Sequence, residues 1–540
     1  MLGWAVPDAY AQRYADAPPL SRSVSADTIL RADANVLAPG DGIAIVVDAR
    51  NARDMNGTRA RAPGPNSFAT GGNALAAGAD SIALGPQAWA AGDASLAAGV
   101  AAAAHHADAV AVGAGAKAKG EQSMAAGTLA LAASSGSTAV GVQSSATGAA
   151  STALGADAAA FGDGSIALGS GASANEFDSI ALGTAANAFA DETVAIGGSA
   201  SAEGTGSIAL GAEASALDDG SVAVGHGANA QASGGVAIGV AADASAEHGI
   251  ALGSSANASG SGAAAVGVSS NAAGVDSAAF GTNASALGDA SLAMGRRAIA
   301  TSDGNVAIGA DAHATASSGI AIGVGAHAEG ADSTVLGAGA RVGGTGGVAV
   351  GVAATATGND GLATGARAQA AGFRSTAIGA DATAAGDRST SVGNGASATA
   401  AHSIALGSDA VASGTNSVAL GRASVADRDD TVSVGAAGRE RKIAHVADGV
   451  LPSDAVNMRQ LHSVARRAYG GVAAATALSM IPDVDTGKTI AVGIGTGGYL
   501  GYQAVALGAS VRFGENLKLR AGASLNAATT TWGAGASYSW

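Results

Sequence analysis

The sequence predicts a fold that is all-β for the most part: a long parallel β-solenoid, a short helical segment and four C-terminal membrane strands. A glycine recurs every fourteen residues from Gly71 to Gly435 without a break. Small apolar residues at helical spacing follow this array, and segments of alternating polarity end the chain. A strict period without insertions indicates that one small structural unit stacks on copies of itself.

The residues before each glycine of this register predict a short strand with two faces. They read SIALG at 165–169 and 403–407, which is a period-two alternation. We expect Ile166 and Leu168 to point into the solenoid and Ala167 to point away from it. Because this middle alanine is never replaced by a charged residue, we also expect it to contact neighbouring chains, which makes the rod an oligomer.

The residues after each glycine predict a second strand. Alanines in the third and fifth places, such as Ala158 and Ala160, alternate with variable residues such as Asp157, which we expect to face water. A second turn follows at a looser Gly or Asp, as at Gly92 and Asp218. Glycine suits such turns because it reaches positive φ at no steric cost. Stacked at about 4.8 Å per coil, the array makes a rod on the order of 125 Å long.

Composition excludes several classes of function. The chain has no cysteine, which rules out disulfide frameworks, thiolate metal sites and cysteine nucleophiles. Its formal charge of −15 is uneven, because residues 71–435 carry −19 and residues 436–540 carry +4. An acidic rod repels nucleic acid and anionic lipid head groups, so we expect no nucleic-acid partner. We interpret the charge mainly as an aid to solubility.

The first 66 residues are predicted to precede or cap the solenoid. Ala9-Tyr10-Ala11 before Gln12 is typical of the small-x-small end of a secretory signal, although no basic segment precedes it. Either the natural chain begins further upstream or the match is a coincidence, and we expect the former.

A change of composition after Gly435 marks a junction. The run GRERKIAHVADG at 438–449 is followed by SDAVNMRQL at 453–461, in which Ser453 is the predicted helix N-cap. Small or apolar residues then recur at spacings of three and four, which predicts a heptad seam that ends before Pro482. The seam residues are Leu461, Val464, Ala468, Gly471, Ala475 and Leu478.

Residues 488–540 contain four segments of about ten residues, each apolar on one face and polar or tiny on the other. Such segments are typical of transmembrane barrel strands. Four strands cannot close, and a sheet in a membrane leaves no open edge, so the chain must associate. Eight strands from two chains would fill their own lumen with side chains. Three chains leave room for the preceding helices, so we expect a trimer.

The order of these parts resembles the trimeric autotransporter adhesins, the YadA-like family. The specific matches are the SxALG repeats, the GxERxIxxVxxG motif of 438–449 and the SDAVNxxQL motif of 453–461. The resemblance implies a left-handed parallel β-roll head, a short trimeric coiled coil and a twelve-stranded trimeric transmembrane β-barrel. The implied domains are an N-terminal segment with a signal-peptide remnant and cap at 1–66, the head at 67–436, the neck at 437–461, the coiled-coil stalk and lumen helix at 462–481, and the anchor at 482–540.

The resemblance also implies site residues and partners. Tyr538 and Trp540 are the expected barrel-assembly terminus, and His445 stands where the family usually has Asn. The expected partners are two further copies of the chain, outer-membrane lipid, the barrel-assembly machinery, and host extracellular matrix or a cell-surface receptor. The implied neck residues are Gly438, Arg439, Glu440, Arg441, Ile443, His445, Val446, Asp454, Ala455, Val456, Asn457, Gln460 and Leu461.

The implied function is adhesion by a homotrimer in the outer membrane of a Gram-negative bacterium. Its head is exposed on the cell surface and binds host matrix or cells, or associates with itself, and its anchor helps to export the head. A passive surface-layer or ice-binding solenoid is the alternative. The outward positions are irregular, however, whereas ice-binding rods usually carry threonine ladders.

The matches to catalytic motifs do not lie in the structural context that those motifs require. We therefore expect no enzyme, no catalytic residue, no cofactor and no metal site. The GxGxxG match at 493–498 falls inside a predicted barrel strand and has no helix after it. His313 and His327 share a phase on adjacent coils, about 5 Å apart. We interpret this pair as two exposed polar residues in preference to a weak metal or pH-sensitive patch.

Overall fold

The computed structural model describes residues 43–45 and 60–540, which belong to two compact units. The first unit ends at Ala437, and the second runs from Gly438 to Trp540. The secretory-signal end expected at Ala9-Tyr10-Ala11 lies outside the described residues, as does most of the expected N-terminal cap.

The first unit is a parallel β-solenoid with one coil per fourteen residues. Three-residue strands recur at that period from Phe68–Thr70 to Val418–Leu420, and two-residue strands recur from Leu75–Ala76 to Val425–Ala426. Two further short strands, Ile43–Ile45 and Val432–Ser433, pair with the ends of the three-residue set. The stack predicted from the glycine register is therefore confirmed.

Adjacent coils pair in parallel and in register. Ile166 lies beside Ile180, Ala167 beside Ala181 and Leu168 beside Leu182. Each side chain thus forms a column with its equivalents fourteen residues away, and every surface property of the solenoid repeats along its length.

The interior of the solenoid is built from alanine. Ala167 is fully buried, as are Ala158 and Ala160 of the two-residue strand side, whereas Ile166 and Leu168 are 41% and 36% exposed. The expectation that the aliphatic pair points inward and the alanine outward was wrong. A coil of fourteen residues encloses a space that admits little more than methyl groups, and the largest buried hydrophobic side chains of the stack are Val335 and Val342.

The glycine register has two physical causes. Gly239 has a φ of 140°, a conformation that side chains rarely adopt, and a Cβ there would lie 2.5 Å from the carbonyl of Gly253 in the next coil. The second turn also contains a left-handed residue, but it comes two positions after the one expected. It falls at Ala94 (φ 54°) and Gly220 (φ 63°), after Gly92 and Asp218 respectively.

Aspartates hold the second turn of the preceding coil. Oδ1 of Asp163 accepts a hydrogen bond from the Ala149 N–H at 2.7 Å, and Oδ1 of Asp289 accepts from the Val275 N–H at 2.8 Å. Part of the acidity of the solenoid therefore satisfies backbone donors. The aspartates that bond in this way are Asp93, Asp163, Asp191, Asp219, Asp289, Asp303, Asp387 and Asp429.

The second unit contains one helix, Met458–Ser479, capped by Asn457. The Asn457 side chain accepts from the Gln460 N–H at 3.0 Å, and the Gln460 side chain returns to the Asn457 N–H at 3.4 Å. The prediction of Ser453 as the N-cap was wrong, because only Asn457 has a glutamine three residues later to complete a capping box. The helix ends before Pro482, as expected. No helix in the described part of the chain has the length and apolarity of a membrane span.

Four antiparallel strands follow the helix and pair in chain order. Their outer face is apolar and exposed, as at Val492 (69%) and Leu507 (60%), whereas Ala506 on the inner face is fully buried. The predicted alternation is confirmed. The strands are Ile490–Tyr499, Tyr502–Phe513, Leu517–Asn526 and Thr530–Tyr538.

Glycines on the inner face let the helix lie directly on the strands. A Cβ on Gly508 would lie 2.5 Å from Cδ1 of Ile481, and one on Gly497 would lie 2.5 Å from the carbonyl oxygen of Ala473. Of the glycines in the GxGxxG match at 493–498, Gly495 faces the helix in the same way, because a Cβ there would clash with the carbonyl oxygen of Ala477.

Polar side chains of the third strand fix the helix at two points. Nη2 of Arg520 donates to the carbonyl oxygens of Leu478 (2.9 Å) and Ile481 (2.5 Å), and Nδ2 of Asn526 donates to that of Gly470 (2.7 Å). The last turn of the helix has no basic residue of its own. Arg520 therefore supplies both the missing donors and the positive charge that a helix C-terminus favours.

The face of the helix that touches the strands is not the predicted seam. Gly470, Ala473, Ala474 and Ala477 are buried against the strands, whereas no seam residue is buried, and Leu461 is 53% exposed. Leu478 at the end of the seam packs against the strands, and the rest of the seam is left open within one chain.

Replacing a register glycine is expected to destabilise the solenoid. Gly239→Ala should cost roughly 2 kcal/mol or more, because it combines a strained φ with a backbone clash. The matched control is Gly343→Ala, since a Cβ at Gly343 meets nothing within 4 Å. Circular dichroism melting of the full chain should show a lower midpoint for Gly239→Ala only. Equal midpoints for the two variants would contradict the account.

Removing the arginine contact is expected to loosen the end of the helix. Hydrogen bonds from a charged donor contribute about 1.5–3 kcal/mol, so Arg520→Met should raise amide exchange in the last helical turn roughly tenfold or more. Hydrogen–deuterium exchange of the full chain measures this directly. Arg466→Met, at an exposed arginine of the same helix, should leave the exchange unchanged.

Candidate functional surfaces

A long apolar surface of the solenoid is formed by the two columns that flank the inner alanine, here called the aliphatic stripe. It consists of the first and third residues of the three-residue strands, such as Ile166 and Leu168. An apolar surface that continues along a whole stack marks a site of protein association. Members that are at least about a third exposed are Ile82, Val112, Met124, Leu154, Ile166, Leu168, Ile208, Leu210, Ile238, Ile250, Leu252, Phe280, Met294, Leu336, Ile378, Ile404, Leu406 and Leu420.

The outward column of the two-residue strands is variable and polar, as predicted. It contains Lys117, Asn187, Asp243, His313 and Arg341. Neighbours in the column interact, since Nδ2 of Asn229 donates to Oδ1 of Asp243 at 3.1 Å. Partial burial raises the pKa of Asp243, and this hydrogen bond opposes the rise. The column is therefore a chemically irregular surface on a regular frame.

Ion pairs join some adjacent coils. Arg297 binds both carboxylate oxygens of Asp311 at 2.6 and 3.0 Å, and Arg367 binds both of Asp381 at 2.7 Å. These hydrogen bonds lower the pKa of each aspartate. Both pairs are exposed, so their contribution to stability is small.

The two histidines of shared phase do lie together. The rings of His313 and His327 have centroids 4.9 Å apart and meet edge to face. Burial lowers the pKa of His327, with further contributions from Arg341 and His313. Among the described residues no group of three or more His, Cys, Asp or Glu could hold a metal ion. Two imidazoles alone make a weak metal site.

The neck motifs meet at the start of the helix. Nδ2 of Asn457 donates to the Val446 carbonyl at 3.1 Å and to Oδ1 of Asp448 at 2.6 Å. The Gln460 side chain both donates to the Gly449 carbonyl (2.9 Å) and accepts from its N–H (3.0 Å). The Asn and Gln of SDAVNxxQL therefore hold the end of the GxERxIxxVxxG segment.

Carboxylates stabilise the remaining turns of the neck. Oδ2 of Asp454 accepts from the N–H groups of Leu451 and Val450, both at 2.8 Å, and these bonds lower its pKa. The Gly438 N–H donates to Glu440 at 2.9 Å. His445 has a φ of 60°, a left-handed conformation in which Asn is strongly enriched. This geometry gives a physical reason for the Asn that the resemblance implies at this position.

The other residues implied by the resemblance are exposed in the single chain. Ile443 is 69% and Val456 67% exposed, and Trp540 is fully exposed. Tyr538 pairs with Leu517 at the end of the sheet and is 62% exposed. Arg439, Arg441, Ala455 and Leu461 are exposed as well.

Sequence reasoning missed the roles of the aspartates that accept hydrogen bonds from the preceding coil, and those of Arg520 and Asn526. The aspartates were counted only as charge, although their fixed place directly before a left-handed position was a usable signal. Arg520 was visible as one of two charged residues, with Lys518, on the inner face of a strand.

Family models match three successive regions of the chain. Residues 482–540 match the YadA-like membrane anchor domain, and residues 442–479 match the coiled stalk of trimeric autotransporter adhesin. The YadA head domain repeat matches residues 76–102, 107–130, 118–144, 132–158, 146–172, 174–200, 202–228, 230–256, 286–312, 314–340, 343–368, 370–396, 386–410, 398–424 and 412–437.

One solved structure similar to part of the chain is the collagen-binding domain of Yersinia adhesin YadA, at 28% sequence identity. The match covers 36% of this chain and 84% of that one, with a TM-score of 0.19, which carries no argument about shape. The head, stalk and anchor models together span most of the sequence. The chain therefore belongs to the YadA-like family of trimeric autotransporter adhesins.

Proposed function

We propose that this chain is a surface adhesin that acts as a homotrimer anchored in the outer membrane of a Gram-negative bacterium. The observation that carries the proposal is one polypeptide holding both a solenoid with a repeated outward surface and four membrane strands that cannot close alone. Many copies of a surface on one anchored rod gain avidity even where each contact is weak. The head binds host extracellular matrix, a host cell-surface receptor or another head.

Three open surfaces support the trimer. The aliphatic stripe is apolar and uncovered, the helix seam is exposed, and the four-stranded sheet has two free edges. The middle alanines were expected from the sequence to contact neighbouring chains. The aliphatic stripe is better placed for this contact, because Ile208 and Leu210 are exposed whereas Ala209 is buried. Association of three chains covers all three surfaces and closes a twelve-stranded barrel.

The anchor and neck have distinct roles in this proposal. The barrel holds the C-termini in lipid through outer-face residues such as Val492, Ile494 and Leu507, and it helps to export the head. Tyr538 and Trp540 form the terminus that the barrel-assembly machinery recognises. The neck residues Asn457 and Gln460 join residues 446–449 to the start of the coiled coil.

Charges on the stripe are expected to disrupt the trimer. Ile166→Glu with Leu168→Glu would place carboxylates in an apolar interface, where unpaired burial is costly. The melting midpoint of the trimer should fall on the order of 5–10 °C. Asn187→Glu with Ser201→Glu, on the outward column of the two-residue strands, adds the same charge and should have little effect. A stripe variant as stable as this control would argue against the interface.

Display of the full chain on a Gram-negative cell tests the function as a whole. Cells that express it should form heat-resistant trimers in the outer-membrane fraction and should adhere to matrix proteins, host cells or one another. Deletion of 482–540 should abolish both properties, because it removes all four membrane strands. Wild-type cells that display trimers yet adhere to none of these surfaces would refute adhesion.

A further inference from the structure

One patch of the solenoid surface differs from the rest in its chemistry. It consists of Trp89, Ala103, His105, Lys117 and Lys119, here called the tryptophan–lysine patch. These residues belong to the two-residue strands of three consecutive coils or directly follow them. Trp89 is the only tryptophan between residues 60 and 437, and the two lysines are the only lysines of that range. The one tryptophan and both lysines of this range are therefore gathered in one place.

The strand register fixes the geometry of the patch. Trp89 lies beside Ala103, and Ala103 lies beside Lys117, so the tryptophan and the lysine stand two coils apart in one outward column. Two coils correspond to about 10 Å. Ala103, with its small side chain, lies between them. His105 stands in the neighbouring outward column, and Lys119 follows it one coil later.

Two aromatic side chains of the patch contact each other. The Trp89 ring is 41% exposed and meets the His105 ring edge to face, with centroids 4.8 Å apart. The contact orients the indole and leaves part of its surface in water. An oriented, half-exposed indole offers apolar area to a ligand at a low cost in conformational entropy.

The charged groups that act on His105 are cationic. Burial lowers the pKa of His105 most, and Lys119, His106 and Lys117 lower it further. The nearest carboxylates lie in the turns: Asp93 accepts from the Ala79 N–H at 2.8 Å, while Asp108 and Glu121 are exposed. No Lys or Arg follows between Lys119 and Arg296. The two lysines of the patch thus lie next to a long segment of the solenoid whose charged residues at neutral pH are acidic.

We propose that the tryptophan–lysine patch binds an acidic saccharide, a sugar that carries a carboxylate or a sulfate. The indole covers the apolar face of the sugar ring, and the two ammonium groups donate charge-assisted hydrogen bonds to the anion. This inference rests on the adhesive function proposed above and names the class of ligand.

Two features favour a short saccharide over a nucleic acid. A base could also stack on Trp89. A nucleic-acid chain, however, would extend its phosphates along a solenoid of net charge −19 over 71–435, which repels them. A terminal acidic sugar places a single anion against the lysines.

The test uses the full-length chain, purified in detergent and immobilised on a biosensor. The probes are a sialic-acid-terminated trisaccharide, a sulfated uronic-acid disaccharide, neutral lactose and a single-stranded DNA oligonucleotide. We expect at least one acidic sugar to bind at least tenfold more tightly than lactose, and the two acidic arms distinguish a carboxylate from a sulfate source. Trp89→Ala and the double variant Lys117→Ala with Lys119→Ala should each weaken this binding tenfold or more.

Matched variants separate recognition from folding. Lys117→Arg with Lys119→Arg keeps the charge and should retain most of the binding, whereas Arg341→Ala removes a cation from the same outward column sixteen coils away and should change nothing. Preference for DNA, equal binding of lactose, or full binding by the patch variants would each overturn the inference. If wild-type cells adhere but their adhesion survives Trp89→Ala and no acidic sugar binds, this inference fails while the adhesin proposal stands.

Discussion

The narrow interior of each coil is the constraint on which the rest of the solenoid depends. Adjacent coils approach so closely that the columns facing inward accept mainly alanine and serine, and the register column accepts only glycine. With few exceptions, such as Val335 and Val342, larger side chains therefore point outward. Because the outward face of the three-residue strands carries Ile, Val and Leu, a single chain exposes a continuous apolar surface, and association follows from the same restriction that makes the coil thin.

Small residues solve a similar problem in the second unit. Helix and sheet lie against each other without bulky side chains between them, since Gly495 and Gly508 face Ala477 and Ile481. Such close packing buries little apolar area, so polar contacts must fix the helix position. Arg520 and Asn526 do this by binding backbone carbonyls near the end and the middle of the helix. The outer face of the sheet is then free to carry the large apolar residues that lipid requires.

Much of this architecture could be predicted from the sequence, because repetition and alternation are periodic signals. The glycine register, the parallel stack and the four anchor strands follow from period alone. Period does not show which face of a strand is inside, so Ile166 and Ala167 were assigned to the wrong sides. The usable signal was the range of side chains found at each position of the repeat. A position that is almost always alanine faces the narrow interior, whereas a position that holds Ile, Leu or Thr in different coils faces outward. The helix start was misplaced because Ser453 and Asn457 are equally good caps, and only the returning side chain of Gln460 separates them.

The division between fixed and variable columns also limits where recognition can lie. Inner alanines and register glycines are set by geometry, the stripe by association, and aspartates such as Asp163 and Asp289 by the turns that they hold. What remains free to vary is the outward column of the two-residue strands and the positions beside it. A binding site on such a surface must be assembled from equivalent positions on successive coils, at intervals of about 4.8 Å. Neighbours in one column, such as Trp89, Ala103 and Lys117, therefore form the natural unit of a site. A side chain that is moved fourteen positions along the sequence moves by one coil on the surface, and the scaffold stays the same.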